Sequence, residues 1–190
     1  MIEAGVDEVG RGPLAGPVVS AAVILDNSIE IEGLDDSKKL SAKKRQELSK
    51  KIKESAISWN LASASIKEID SLNILQASLL SMKRAVEGLK ITPQKVLCDG
   101  NHKPDISIDC EAIVKGDSSI KSIMAASIIA KVTRDELMKD MDRLYPGYGF
   151  KKHKGYPTKF HLDALKLLGP CKIHRLSFRP VKKLINPNLF

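Results

Sequence analysis

The sequence predicts an α/β fold with a mixed central β-sheet flanked by helices. The chain has 190 residues, 43% of them hydrophobic and 28% charged, which is enough for one domain with its own core. Strand-like segments follow one another early in the chain, whereas later strand-like segments alternate with helix-like ones. This order is typical of an α/β fold in which one sheet contains both parallel and antiparallel neighbours.

The first half of the chain predicts three strands and two helices. Strands are expected at 2–9 and 18–26, separated by GRGPLAGP, whose two prolines and three glycines exclude a helix. Ser41 is a suitable N-cap for a following segment rich in helix-forming residues. Residues 57–65 alternate as a half-buried strand does, and 67–88 carry apolar side chains at helical spacing.

The second half predicts two short strands and a long helix. KVLCDG (95–100) and SIDCEAIVKGD (107–117) are apolar runs that each end in a turn-forming segment. A long helix is expected to begin near Ser118 or Ser119. The tail that follows is basic and rich in loops, with one helix expected around 158–168.

Charge and cysteine content narrow the function classes. Thirty-one Lys and Arg against 23 Asp and Glu give a net charge of +8, which is compatible with a nucleic-acid partner or with an ordinary basic protein. We expect a cytoplasmic protein that contacts no membrane, because no apolar run is long enough to span one and no basic export signal is present. The three cysteines form no C-x-x-C pair, so a structural zinc site is not expected.

Four acids lie where strand-like segments end: Asp7, Glu8, Asp99 and Asp117. Strand ends of an α/β sheet converge on one crevice, where carboxylates repel one another unless cations lie between them. Mg²⁺ or Mn²⁺ would suit these oxygen ligands, and two such ions can hydrolyse a phosphodiester. The spacing alone leaves open that these acids are ordinary turn or capping residues.

The glycine-rich turn beside Asp7 and Glu8 matches a known pattern only formally. Gly10, Arg11 and Gly12 begin a G-x-G-x-x-A match, but a dinucleotide fold requires a helix directly afterwards, and a β-like run follows instead. A P-loop is excluded because G-K-[ST] is absent. The turn could bring its backbone close to a ribose or phosphate, with Arg11 available for a phosphate.

Seven segments resemble, in order, the motifs of bacterial ribonuclease HII: GVDEVGRGPLAGPVV, DDSKKLS, CDG, VKGD, ASIIAKVTRD, YPGYGFKKHKGYPTKFH and HRLSFRPV. The resemblance covers nearly the whole chain. It implies an RNase H-like fold, with a catalytic domain at 1–157 and a C-terminal helical extension at 158–190 packed on it. It also implies cleavage of the RNA strand of RNA–DNA hybrids and incision 5′ to ribonucleotides embedded in duplex DNA, leaving 3′-hydroxyl and 5′-phosphate ends.

The resemblance assigns roles to individual residues. Asp7, Glu8, Asp99 and Asp117 correspond to the catalytic metal-binding acids, for Mg²⁺ or Mn²⁺ in a two-ion mechanism. Gly10, Arg11 and Gly12 correspond to the motif that recognises the ribose 2′-hydroxyl, Tyr156 to the tyrosine that senses the junction, and Lys38 and Lys39 to phosphate contacts. A monomer is expected.

Two alternative functions fit the sequence less well. A nucleic-acid-binding protein that had lost catalysis should lack one of the four acids, and none is missing. Another nuclease or transferase of the RNase H-like superfamily should lack the Gly-Arg-Gly turn and HKGYPT. The tail histidines His153 and His174 are interpreted as packing or surface residues, with a phosphate contact left open.

Overall fold

A computed structural model describes residues 1–187 and contains one five-stranded sheet. Its strands are β1 (Glu3–Val9), β2 (Val18–Ile24), β3 (Ser58–Ala64), β4 (Lys95–Asp99) and β5 (Asp109–Ile113). Their order in the sheet is β3-β2-β1-β4-β5. β1 pairs antiparallel with β2, as β2 does with β3, whereas the β1–β4 and β4–β5 pairs are parallel. The predicted mixed sheet is confirmed.

Helices cover both faces of the sheet. They are α1 (Ala42–Ser55), α2 (Ile66–Leu72), α3 (Ile74–Glu87), α4 (Lys121–Leu144), α5 (Phe150–His153), α6 (Lys159–Leu168) and α7 (Arg179–Ile185), with a short 3-10 turn at Gly116–Ser118. Because side chains alternate along a strand, Ala22 and Ile24 of β2 pack toward α3, whereas Ala21 and Val23 pack toward α1 and α4. β2 is therefore buried along its whole length.

The start of α4 lies directly on β1, and this contact depends on Gly5. A Cβ at Gly5 would lie 2.1 Å from the carbonyl carbon of Ser122, so only glycine allows this approach. The preceding 3-10 turn is thereby held near the sheet, together with the first turns of α4.

Two sequence-based boundaries are wrong. The single helix predicted at 67–88 is two helices, because Asn73 has φ 74° and ψ 164°, ends α2 and caps α3 with its side chain. Within the apolar run at 107–117, β5 ends at Ile113, and Lys115 in the turn-forming segment after it adopts a left-handed conformation with φ 57°. The long helix consequently begins at Lys121 rather than at Ser118 or Ser119.

The tail after α4 contains the predicted helix and two, α5 and α7, that were not predicted. α6 confirms the helix expected around 158–168. α7 includes Pro180 in its first turn, where a proline is tolerated because that N–H has no partner within the helix. The division at 157/158 stays a prediction, and residues 188–190 of the expected extension lie outside the described residues. Over residues 1–187, no helix combines the length and apolar character needed to cross a bilayer.

Candidate active site

A cavity of about 320 Å³ at the C-terminal ends of β1 and β4 collects nearly all of the predicted site residues. Its lining includes Asp7, Glu8, Gly10, Arg11, Gly12, Lys38, Asp99, Asp117 and Tyr156. Lys39 is the predicted residue that does not line it; its exposed ammonium lies 3.2 Å from Asp35 Oδ1. Asp7 and Glu8 lie within β1 rather than after it, Asp99 ends β4, and Asp117 belongs to the 3-10 turn.

Asp7 and Glu8 are unusually difficult to ionise. Asp7 is buried, and its Oδ1 accepts a 2.7 Å hydrogen bond from the backbone N–H of Glu8. Burial raises the pKa of Asp7 well above its ordinary value, and the charges of Glu8 and Asp99 raise it further against a hydrogen bond with Ser127. Burial likewise raises the pKa of Glu8 to about 7; the guanidinium of Arg11 opposes this rise and Asp99 adds to it.

The carboxylate of Glu8 is only half satisfied. Its Oε1 lies 3.4 Å from Nη1 of Arg11. Its Oε2 is buried and, among residues 1–187, has no hydrogen-bond partner. Buried acceptors in native structures almost always have a partner or bind an ion or water. Glu8, which lines the cavity, therefore has an oxygen atom available as a ligand.

Asp99 and Asp117 form the second pair of acids. The backbone N–H of Asp117 donates to Asp99 Oδ1 at 3.2 Å, which fixes the 3-10 turn against the end of β4. Lys38 Nζ donates to Asp117 Oδ2 at 2.6 Å, and this hydrogen bond raises the pKa of Lys38. The Lys38 side chain is 76% exposed, so its ammonium can leave Asp117 at little cost in burial. A cation thus already lies on one of the acids.

The acids fit a hard divalent cation as an open set of ligands rather than as a closed cage. No three His, Cys, Asp or Glu side chains within residues 1–187 are grouped closely enough to hold an ion by themselves. Mg²⁺ usually takes one or two carboxylates and completes its shell with water and substrate phosphate. The all-oxygen donor set and the unpartnered Glu8 Oε2 meet that requirement. The expected pair of ions stays a prediction.

Buried Arg175 shapes the Gly-Arg-Gly turn. It donates to three carbonyls of the β1–β2 loop, at 2.6 Å to Gly10, 2.9 Å to Arg11 and 2.9 Å to Gly16. Burial lowers the pKa of Arg175 to about 9. Because one planar guanidinium can satisfy several carbonyls at fixed angles, it determines the path of this loop.

Arg134 joins that loop to the segment before Tyr156. It is fully buried and donates at 3.0 Å to each of the carbonyls of Ala15, Pro17 and Lys154. Gly10, with φ 106°, leaves room for it, since a Cβ there would lie 2.2 Å from Arg134 Nε. Burial lowers the pKa of Arg134 to about 10.

Sequence reasoning did not identify these two arginines. One pattern could have identified Arg134: it follows Ala126 and Ala130 and precedes Met138 at intervals of four, and all four are buried on one side of α4. The loop-based Arg175 has no such pattern. Further unpredicted lining residues are Val9, Ser37, Ser127 and Lys131.

Tyr156 completes the lining of the cavity. Its ring lies against Gly12 and the residue is 41% exposed, which leaves the ring available to a ligand. The Tyr156 N–H donates to the carbonyl of His153 at 2.9 Å, and the Tyr156 carbonyl accepts from the N–H of Thr158 at 2.8 Å. The geometry therefore places an aromatic ring beside the Gly-Arg-Gly turn.

Comparison with known proteins supports the relationship to ribonuclease HII that the sequence motifs imply. The family model described as Ribonuclease HII matches residues 4–181. Ribonuclease H2 from Pyrococcus horikoshii OT3 is 29% identical, with a TM-score of 0.80 and 97% of each chain covered. RNase HII in its PCNA complex from Archaeoglobus fulgidus is 24% identical, with a TM-score of 0.75 and 96% of each chain covered.

A third similar structure, Bst-RNase HIII in complex with Mn²⁺, is 21% identical with a TM-score of 0.78, covering 97% of this chain and 69% of that one. At this identity, as for the Archaeoglobus fulgidus protein, the likeness concerns the fold. The RNase H-like fold predicted from the resemblance is confirmed.

Proposed function

The chain belongs to the ribonuclease HII family, and on that premise we propose that it cuts duplex DNA on the 5′ side of single embedded ribonucleotides. Family membership makes it a nuclease that hydrolyses the RNA strand of RNA–DNA hybrids with the help of divalent metal ions. The proposed incision leaves a 3′-hydroxyl and a 5′-phosphate and would serve removal of ribonucleotides and RNA primers. A bacterial origin, a monomeric state and a cytoplasmic location stay predictions.

One observation carries the proposal: four carboxylates, the Gly-Arg-Gly turn and an exposed tyrosine line a single cavity. The acids alone would suit hydrolysis of any phosphodiester. The turn and the ring lie beside them, where a sugar next to the scissile phosphate would have to be recognised. The 2′-hydroxyl is the chemical group that distinguishes a ribonucleotide from its deoxy neighbours.

Asp7, Glu8, Asp99 and Asp117 would hold the divalent ions. When bound, such ions lower the pKa of a coordinated water and stabilise the leaving oxygen of a phosphodiester. Burial, together with repulsion from neighbouring carboxylates, raises the pKa of Asp7 and Glu8, and a bound divalent cation would favour their ionised forms. The Mn²⁺ bound by Bst-RNase HIII supports an ion of this kind.

The remaining lining residues would bind and orient the substrate. Lys38 would exchange Asp117 for a substrate phosphate, and Arg11 and Lys131 offer further positive charge at the cavity. Gly10–Gly12 would contact the 2′-hydroxyl through the backbone, because Arg175 fixes the conformation of this turn. Tyr156 would pack on the sugar of the next nucleotide on the 3′ side, where an added hydroxyl would crowd its ring. Lys39 stays a proposed phosphate contact outside the cavity.

The decisive experiment uses a DNA duplex with one ribonucleotide, incubated with Mg²⁺, with Mn²⁺ and with a chelator, and maps the cut at nucleotide resolution. Cleavage 5′ to the ribonucleotide that requires the metal is expected. Cleavage of an all-RNA/DNA hybrid without cleavage of the duplex that contains one ribonucleotide would refute the proposed incision at single ribonucleotides. Duplex binding without any cleavage would instead favour the non-catalytic rival.

The acids are tested by Asp99→Asn and Asp117→Asn, because an amide is a much poorer ligand for a hard divalent cation. Cleavage should be nearly lost while duplex binding is retained. Asp109→Asn is the matched control: it removes the same charge from an exposed residue at the opposite end of the β4–β5 pair. Cleavage by Asp117→Asn within a few-fold of the control would remove Asp117 from the site.

A further inference from the structure

Two buried histidines, one of which contacts the backbone of Tyr156, are joined ring to ring. His161 and His174 are 0% and 1% exposed, and their Nε2 atoms are 3.0 Å apart. Two bare ring nitrogens would repel at that distance, so one of them must carry a proton. The backbone N–H of Cys171 donates to His174 Nδ1 at 2.9 Å, so that nitrogen is an acceptor.

These contacts determine both tautomers. Because Nδ1 of His174 is an acceptor, the neutral ring carries its proton on Nε2 and donates to Nε2 of His161. His161 must then carry its own proton on Nδ1, which lies 2.9 Å from the carbonyl oxygen of Tyr156. The result is a directed chain of hydrogen bonds from the backbone of Cys171 to the backbone of Tyr156.

The other side of this chain is attached to the loop that carries the Gly-Arg-Gly turn. His174 forms an isolated antiparallel bridge with Ala15. On either side of it, the N–H of Gly16 donates to Ile173 and the N–H of Arg175 donates to Leu14, both at 2.8 Å. The histidine pair thus spans the interval between the β1–β2 loop and Tyr156.

The groups around the pair keep it neutral. His153 stacks on His161 with ring centroids 4.4 Å apart, donates from Nε2 to the carbonyl of Tyr148 and accepts at Nδ1 from Gly155. The Cys171 thiol lies 3.2 Å from His174 Nδ1, and the Tyr148 ring lies against His174. Burial lowers the pKa of His174 to about 4, with the charge of a protonated His161 as the next cause, and burial also lowers the pKa of His161.

We propose that His161 and His174 are positioning residues, which hold Tyr156 at a fixed place relative to the Gly-Arg-Gly turn through this chain of hydrogen bonds. The inference rests on the proposed function for the role of Tyr156. A ring that discriminates deoxyribose from ribose by contact must be placed to within a fraction of an ångström. Its backbone anchor therefore determines how well junctions are distinguished.

The tautomers are measured first, in the free protein with ¹⁵N-labelled histidine. Long-range ¹H–¹⁵N correlation spectra should show His174 protonated at Nε2 and His161 protonated at Nδ1, with exposed His102 as a reference resonance. His161 protonated at Nε2 would overturn the inference. This measurement needs no substrate. It therefore decides whether the chain of hydrogen bonds exists even if the protein does not cut at an embedded ribonucleotide and the proposed function is refuted.

Positioning is tested with two variants of one residue. The amide nitrogen of Asn can replace Nδ1–H of histidine, whereas that of Gln reaches the place of Nε2. His161→Asn should therefore keep the bond to the Tyr156 carbonyl, and His161→Gln should lose it. Because His161→Gln loses a buried hydrogen bond that His161→Asn keeps, we expect kcat/KM for junction incision to be about tenfold lower for His161→Gln than for His161→Asn.

The Tyr156→Ala background separates positioning from general stability. If His161 acts through Tyr156, the difference between Asn and Gln in junction incision should disappear once the ring is removed. Thermal unfolding of each variant shows whether it folds. The inference would be overturned if His161→Asn and His161→Gln cut junctions equally well. It would also be overturned if their difference in junction incision persisted in the Tyr156→Ala background.

Discussion

Glu8 shows at the scale of one residue how a site for a cation weakens the protein that carries it. Its Oε2 is buried without a partner among residues 1–187, and burial and the charge of Asp99 both oppose ionisation of its carboxyl group. The folded protein therefore favours protonated Glu8, whose pKa is raised to about 7 from 4.5. A divalent cation would reverse this preference by supplying the missing partner.

Glu8→Gln is expected to stabilise the metal-free protein at pH 8 while nearly abolishing cleavage. Between pH 4.5 and about 7 the folded state binds the proton more tightly than the unfolded state, so wild-type stability falls as pH rises through that range. Glutamine does not ionise and avoids this loss of stability, which amounts to about 3 kcal/mol for a shift of this size. Thermal unfolding in a chelator at pH 5 and pH 8 measures it. A variant less stable than wild type at pH 8 would contradict the account.

At the scale of elements, the sequence predicts what depends on local pattern and misses what depends on one residue's conformation. Alternation and apolar runs locate all five strands, and Ser41 and the residues after it locate α1. The apolar stripe over 67–88 continues through Asn73 without interruption, so the break between α2 and α3 is invisible to periodicity. Likewise, the motif acids could be named in advance, whereas Arg134 and Arg175 are recognised only once the carbonyls they contact come together.

Asn73 is expected to tolerate glycine far better than alanine. Its φ of 74° with ψ of 164° belongs to a region that side chains strongly disfavour, and its side chain accepts from the N–H of Gln76 at 3.1 Å. Asn73→Gly loses the cap but relieves the backbone, for a net change of a few tenths of a kcal/mol. Asn73→Ala keeps the strain and loses the cap, which should cost about 1–3 kcal/mol in urea unfolding. Equal stability of the two variants would show that the backbone relaxes without strain.

Arg175 is expected to be irreplaceable by lysine in the loop that follows β1. A single ammonium cannot span the three carbonyls that the guanidinium satisfies, so buried acceptors would be left without donors. Arg175→Lys should lower the free energy of unfolding by about 2–4 kcal/mol and lower the preference for ribonucleotides over deoxynucleotides. Arg143→Lys, an exposed exchange at the end of α4, is the control. An unchanged preference in a folded Arg175→Lys protein would separate this arginine from substrate recognition.

At the scale of the whole molecule, the net charge of +8 predicts affinity for a polyanion but not the surface that provides it. Two exposed pairs of adjacent lysines are candidates for the surface that binds the nucleic acid. Lys151 and Lys152 belong to α5, close in the chain to Tyr156, whereas Lys50 and Lys51 lie on α1. A phosphate backbone that crosses the cavity would pass nearer to the segment that carries Tyr156, because that residue lines the cavity.

The two pairs therefore make a matched test at equal net charge. Removing a lysine that binds a phosphate should make the slope of log affinity against log salt less negative by about 0.9. Lys151→Ala with Lys152→Ala should flatten the slope by about 1 to 2 for a ribonucleotide-containing duplex, whereas Lys50→Ala with Lys51→Ala should leave it unchanged. The measurement is equilibrium binding across a salt series in a chelator, so that cleavage does not intervene. A flatter slope for the α1 pair alone would place the duplex on the α1 face and leave the basic segment before Tyr156 as a solvated surface.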